Sequence, residues 1–479
     1  MSDTSSWIAR HVERLRPAAA QPADGQAAPR STHERLAATL RRKDEALAPR
    51  ALRQLHEQLQ QVVAPRISEV EAGRRAQAVI DWYAQAPAAQ RSDLWALLTE
   101  QYAPDTERLK AAHQRYEAVA GTPQAARAEA ALRQALVSPR TRLLQRFAVP
   151  PGGMRFLVDL RAELLALVRE NPQLQALDGE LEHLFSTWFD VAFLELRRLS
   201  WDSPASLLEK LIQYEAVHDI RSWDDLKNRL DSDRRCYGFF HPSLPGEPLI
   251  FVEVALLDAL AGSITPLLDE AAAPVDLSRA TTAIFYSISS TQEGLRGVSF
   301  GDSLIKHVVD QLQAEFARLR HFATLSPIPG FRAWLARESD AQLALLAPRQ
   351  YGALARAMGV DAGQSATAAQ LLAAADQAAQ LTSKSPLRAF LLGCAARYLS
   401  GMRDGRALDA VARFHLGNGA RVEQINWMGD PSAKGLKQSF GLMVNYLYDL
   451  KRLDRHRAQL AQGKAAVSSQ VQALAREGL

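Results

Sequence analysis

Cysteine is almost missing from this chain: Cys236 and Cys394 are the only two among 479 residues. Two thiols with no Cys-x-x-Cys build no disulfide framework, so a reducing interior is expected, with a cytoplasmic location. Long apolar runs are missing as well. None approaches the ~20 residues a spanning helix needs, so no membrane association is expected. The N-terminus lacks the continuous apolar core of a secretory signal. Its Arg, Ser and Ala content would suit an organelle leader, but Asp3, Glu13 and Asp24 argue against one, and the terminal Glu-Gly-Leu is not a peroxisomal address. Charge of one sign is nowhere massed. The net charge is +4 with Lys and Arg spread throughout, which gives nucleic acid no footing but suits an anionic, phosphate-bearing ligand. No His-Glu-x-x-His and no Cys/His cluster at ligand spacing occurs, so no metal is expected.

What is present is ordinary globular material, 47% hydrophobic and 23% charged. The length exceeds what one core usually fills, so two domains are expected. Residues 1–30, rich in Ala, Pro, Gln and Gly, are expected to be partly disordered. From Ser31 to about Arg197 the pattern is helical almost throughout, with Ser31-x-x-Glu34 and Ser68-x-x-Glu71 in capping-box form and a loop at Pro150–Gly153. Residues 31–190 therefore form a helical scaffold or oligomerisation domain, with Trp82, Tyr83 and Trp95 as core positions. Near residue 235 the character changes. Leu249–Leu256, Thr281–Ser289, His321–Leu325, Val422–Trp427 and Gly441–Tyr448 have strand composition. A helix carries Leu304, Ile305, Val308, Val309, Leu312 and Phe316 on one face, and residues 338–403 return to helix. Residues 191–479 read as a mixed α/β domain, which makes the whole chain α+β and multi-domain.

Three segments carry chemistry. The turn Gly294-Leu295-Arg296-Gly297-Val298-Ser299-Phe300-Gly301-Asp302 joins a strand to a helix. Its glycines let backbone N–H groups approach phosphate oxygens, with Arg296 as an added charge, yet a tight connection would need the same glycines. Gly297-Val298-Ser299-Phe300-Gly301 also matches the nucleophile elbow, with Asp409 and His415 following in hydrolase order, but polar Ser290–Glu293 separates it from its strand. Ser326-Pro327-Ile328-Pro329-Gly330 fixes a serine just after a strand, where it either serves chemistry or caps the next helix. His415 precedes the turn signal Asn418-Gly419, and a lone histidine is more often structural than catalytic.

Tyr214–His218, Asp233–Pro242, Gly246–Leu249, Ala283–Ser289, Leu325–Phe331, Phe414–Ala420, Ile425–Met428 and Gly441–Tyr446 together resemble the malonyl-CoA decarboxylase family. The likeness covers most of residues 200–450 and is looser in the N-terminal third. It implies an N-terminal helical bundle followed by a GNAT-type, acyltransferase-like α/β catalytic domain with a helical insertion. It also implies that Arg296, Gly297, Val298, Ser299, Phe300, Gly301 and Asp302 bind the CoA moiety. Some relatives carry an acidic residue in that turn where this chain has Ser299, so a side-chain contact there does not carry over. Ser326 is implied as proton donor and His415 as proton acceptor; Tyr446 is a helper candidate on its neighbourhood alone. Malonyl-CoA is the implied substrate, the thioester is its own electron sink, and no cofactor is expected. A homo-oligomer is implied as well. An acyltransferase of the same fold and a non-catalytic malonyl-CoA sensor are the alternatives.

Overall fold

The computed structural model describes residues 46–64, 66–298, 304–361 and 364–476. Two compact units share the chain. One holds the residues up to Asp190 together with Pro242–Pro245 and Gln292–Ser299, and the other holds the rest.

The first unit is helical: α1 (Pro49–Val62), α2 (Glu69–Gln85), α3 (Ala88–Glu100), α4 (Thr106–Ala118), α5 (Ala125–Leu136), α6 (Pro139–Phe147), α7 (Gly153–Leu167) and α8 (Gln175–Trp188). Each buried stripe follows helical spacing, as with Leu52, Leu55, Leu59 and Val62 on α1. Ser68 caps α2 by accepting the Glu71 N–H, but the return half of a capping box is absent, because the Glu71 carboxylate takes Arg74 and Arg75 instead. The box at Ser31 lies outside the described residues. Tyr83 and Trp95 are buried, whereas Trp82 is half-buried on the rim of its helix.

The second unit is built on a sheet with strand order β1-β2-β3-β4-β5-β10-β6 and β9 paired to β10. Its strands are β1 (Glu195–Leu199), β2 (Arg234–Phe240), β3 (Pro248–Leu257), β4 (Thr282–Ser290), β5 (His321–Thr324), β6 (Ser326–Pro327), β9 (Arg421–Asn426) and β10 (Met443–Leu447), with helices α9 (Ala205–Tyr214) and α10 (Trp223–Arg229) between β1 and β2. Three of these strands escape the sequence patterns. β6 is only two residues long, beyond the expected strand end at Leu325. β1 reads Glu-Leu-Arg-Arg-Leu, a charged edge strand across the end of the stretch with helical pattern. Every residue of β2 is buried, so it shows no alternation.

The β4–β5 pair is parallel and every other pair in the sheet is antiparallel. A parallel pair needs a crossover, here the glycine turn and α11 (Leu304–Glu315), which buries Leu304, Ile305, Val308, Val309 and Leu312. Pairing between β4 and β5 ends at Phe285 and Thr324, and the Leu325 N–H makes the last bond to the Phe285 carbonyl. β4 then continues to Ser290 against β3, while Ser326 pairs with Val444 of β10. The two central strands therefore part at Ser326. This strand–turn–helix–strand core stands at the centre of an α+β fold, and α12 (Phe331–Ala344), α13 (Pro348–Ala357), α14 (Ala368–Ala375) and α15 (Pro386–Ser400) form a helical insertion after it. Beyond lie β7 (Met402–Arg403), β8 (Arg406–Ala407) and α16 (Ala410–Gly417). Among the described residues no helix is long and apolar enough to cross a membrane.

Candidate active site

The parting strands place Ser326. Thr324, the last residue of β5, is fully buried, and its hydroxyl oxygen accepts the Tyr446 N–H at 3.2 Å and the Ser326 hydroxyl at 2.9 Å. Asn445 locks the same spot by donating to the Thr324 carbonyl at 2.8 Å, and Asn426 donates to the Asn445 oxygen at 2.7 Å. Ser326 caps nothing: the N-cap of α12 is Gly330, without a side-chain bond. Ile328, fully buried between the two prolines, pins the loop to the core.

His415 comes from α16, whose first turn is capped by Asp409 accepting the Ala412 N–H at 2.8 Å. Its Nε2 lies 3.4 Å from the Ser326 Oγ, and its Nδ1 lies 2.7 Å from the Tyr448 hydroxyl. The Tyr446 ring stacks on the imidazole at 4.5 Å and 26°, and Phe414 packs edge-on at 5.0 Å. Ser326 and His415 are only 6% and 3% exposed. With no charged neighbour to offset it, burial drives the His415 pKa down to about 3, so the ring is neutral at pH 7. Burial pushes the Tyr446 and Tyr448 hydroxyls upward. The Tyr446 oxygen is buried without a protein partner, a hydroxyl that a ligand would satisfy.

The three groups form a hydrogen-bonded chain, hydroxyl to imidazole to phenol, which differs from a hydrolase triad. Both ring nitrogens of His415 are occupied by Ser326 and Tyr448, and Asp409 caps the helix through Oδ1 instead of orienting the ring. Ser299, the elbow serine, lies outside the described residues. Tyr448 went unread in the sequence, although a strand's period of two puts it on the same face as Tyr446.

Of the implied CoA-binding turn, Arg296, Gly297 and Val298 are described, while Ser299, Phe300, Gly301 and Asp302 lie outside the described residues. Arg161, buried on α7, donates to the carbonyls of Gly294 at 2.8 Å and Arg296 at 3.0 Å. A Cβ on Gly294 would sit 1.8 Å from the Val158 carbonyl, so that glycine serves close packing on α7. Gly297 holds φ +83°, a left-handed turn that glycine adopts freely. Arg296 is exposed, 3.4 Å from Glu293. Among the described residues no group of three or more His, Cys, Asp or Glu side chains could hold a metal ion.

The sequence matches the family description "Malonyl-CoA decarboxylase C-terminal domain" over residues 192–478 and "Malonyl-CoA decarboxylase N-terminal domain" over residues 102–189. The protein named "Malonyl-CoA decarboxylase, mitochondrial" from Rattus norvegicus is 40% identical over 342 residues, 68% of each chain. Its namesake from Anser anser anser is 39% identical over 327 residues, 66% of this chain and 65% of the goose protein. The crystal structure of malonyl-CoA decarboxylase from Rhodopseudomonas palustris superposes with a TM-score of 0.75 at 39% identity, covering 93% of this chain and 100% of that one. That from Cupriavidus metallidurans gives 0.71 at 42%, covering 89% and 100%. The chain belongs to the malonyl-CoA decarboxylase family of carbon–carbon lyases.

Proposed function

We propose that this chain converts malonyl-CoA to acetyl-CoA and CO2, with the acyl end held between Ser326 and His415. The observation that carries the reading is a serine hydroxyl 3.4 Å from a buried, uncharged imidazole backed by a phenol. A malonyl carboxylate brought beside that ring raises its pKa by opposite-charge attraction, so His415 takes up a proton as substrate enters. Imidazolium and carboxylate together satisfy the buried site without net charge. The C–C bond then breaks, its electron pair flows into the thioester to give an enolate, and CO2 leaves. Out of bulk water, charge spread over an enolate is less penalised than charge fixed on a carboxylate.

The enolate collects its proton at C2 from the Ser326 hydroxyl, which is replenished by Nε2–H of His415. The ring returns to its neutral state and the charges balance. Serine alone is too weak an acid for this step, which is why the imidazole behind it matters. Tyr448 fixes the ring through Nδ1, and Tyr446 stacks on it with a buried hydroxyl that has no protein partner. The thioester supplies the electron sink, so no metal or organic cofactor is called for. The turn through Arg296, Gly297 and Val298 is assigned to the CoA moiety, and a cytoplasmic location suits the two free, buried cysteines. A homo-oligomer belongs to the same reading, with the exposed neighbours Leu136 and Val137 at the end of α5 as its candidate contact.

The test is to give the purified chain carboxyl-labelled malonyl-CoA with no acyl acceptor. Label should leave as CO2 with one acetyl-CoA formed for each. A requirement for an acceptor would make the protein an acyltransferase, and tight binding without turnover would make it a sensor.

A further inference from the structure

A cavity of about 510 Å³ opens in the sheet-bearing unit between α12, α15 and the β7–β8 hairpin. It is lined by Trp334, Tyr398, Arg337, Arg403, Arg406 and Arg413, with Asp404 the one carboxylate in its wall. Four guanidiniums around one space repel each other, and the local structure makes this worse. The hairpin turns through Asp404 at φ +50° and Gly405 at φ +73°, the two positive values of a type I′ turn. That turn sets Arg403 directly opposite Arg406, and like charges facing across a ladder are destabilising. The protein offsets this charge only in part: the buried Asp409 carboxylate acts on Arg413. Arg403 reaches Glu338 at 3.5 Å with its side chain 68% exposed, and Arg413 donates to the Ala407 carbonyl at 3.1 Å.

We propose that this cavity binds a phosphate-bearing polyanion. Guanidinium groups pair bidentately with phosphate oxygens, so an anion here would convert mutual repulsion into charge-assisted hydrogen bonds. The volume falls within the range of nucleotide-sized ligands, and the Trp334 and Tyr398 rings, 5.1 Å apart, give such a ligand an apolar wall. The site is wired to the chemistry. Tyr398 packs against Gly330 at the end of the Ser326 loop. Arg413 stands on α16, the helix that carries His415. The phosphate has two sources, the CoA portion of the substrate itself or a free phosphate compound acting on the enzyme from outside.

The experiment uses the full chain and inorganic pyrophosphate as probe, with binding followed by calorimetry at low salt, beside the variant R403Q/R406Q. Wild type should bind pyrophosphate, and the variant should bind at least ten times more weakly while keeping its thermal midpoint, since both residues are exposed. Saturating CoA separates the sources. If it blocks pyrophosphate, the cavity takes the substrate's phosphates. The variant should then raise KM for malonyl-CoA while leaving a malonyl N-acetylcysteamine thioester unaffected. If pyrophosphate still binds beside CoA, the site serves a free anion, and pyrophosphate should alter turnover in wild type alone. Wild type that fails to bind pyrophosphate, or a variant that binds it equally well, overturns the proposal.

Discussion

An imidazole walled in by Phe414, Tyr446 and Tyr448 has no neighbouring charge to stabilise a proton, and this sets the chemistry of His415. Replacing Tyr448 by Phe keeps the wall but removes the partner of Nδ1. The ring then loses its fixed tautomer and a buried nitrogen goes unpaired, which costs about 1–3 kcal/mol. Turnover should fall about tenfold with KM little changed, since the hydroxyl acts through His415 on the proton step. Steady-state kinetics of Y448F check this, and a rise confined to KM would assign Tyr448 to substrate binding. Burial also leaves an acid signature. An unfolded imidazole titrates near 6.5, whereas His415 is held at about 3 and His218, again by burial, at about 4. Both groups have depressed folded pKa values, so their neutral forms cost nothing above pH 6.5. Stability drains away as pH falls from 6.5 toward 4 and then 3. Urea midpoints at pH 7.5 and 5.0 should drop less for His415→Asn than for wild type. Equal drops would place the imidazole in contact with water.

At the scale of elements, the Ser326 loop and α16 are set by close packing. A Cβ on Gly330 would sit 2.3 Å from the Tyr398 hydroxyl, so Gly330→Ala must push the loop or the phenol aside. G330A should cut turnover about tenfold or more, because positioning errors near 1 Å are costly in catalysis. Removing the hydroxyl in G330A/Y398F relieves the clash and should restore most of the rate. Simple additivity in that cycle would show that the two do not meet. Behind the sheet, Arg229 is fully buried against Asp225 at 2.8 Å and Glu253 at 3.1 Å. Arg229→Leu strands two carboxylates and should cost about 3–5 kcal/mol in denaturant unfolding.

Elements with a clear composition or period were legible in the sequence: β3, β4 and β10 stand where strand-forming residues run together, and α11 where helical spacing puts it. β1 was not, because its edge position replaces apolar residues by charge, and neither was β2, whose Arg234, Arg235 and Gly238 break the run of strand-forming residues. The roles of single residues were harder to read. Gly294 looks like a ligand-binding glycine in sequence, yet it serves contact with α7, which only a fold can show. Ser326 and His415 are 89 positions apart, and local pattern brings neither to the other. The family resemblance named them together, and the strand register through Thr324 and Val444 supplies the physical reason they meet.

Across the whole molecule, a mildly basic chain with spread charge brings a serine hydroxyl to a buried imidazole and gathers positive charge around the cavity at Arg403 and Arg406. The account rests on the hydroxyl and the imidazole acting as one unit. The most direct measurement is turnover of malonyl-CoA by S326A, H415A and S326A/H415A, each shown folded by its thermal midpoint. Each single variant should lose about 10²-fold or more, and the double variant little beyond the worse single. Near-normal acetyl-CoA formation by either single variant, or losses that multiply in the double, would contradict it.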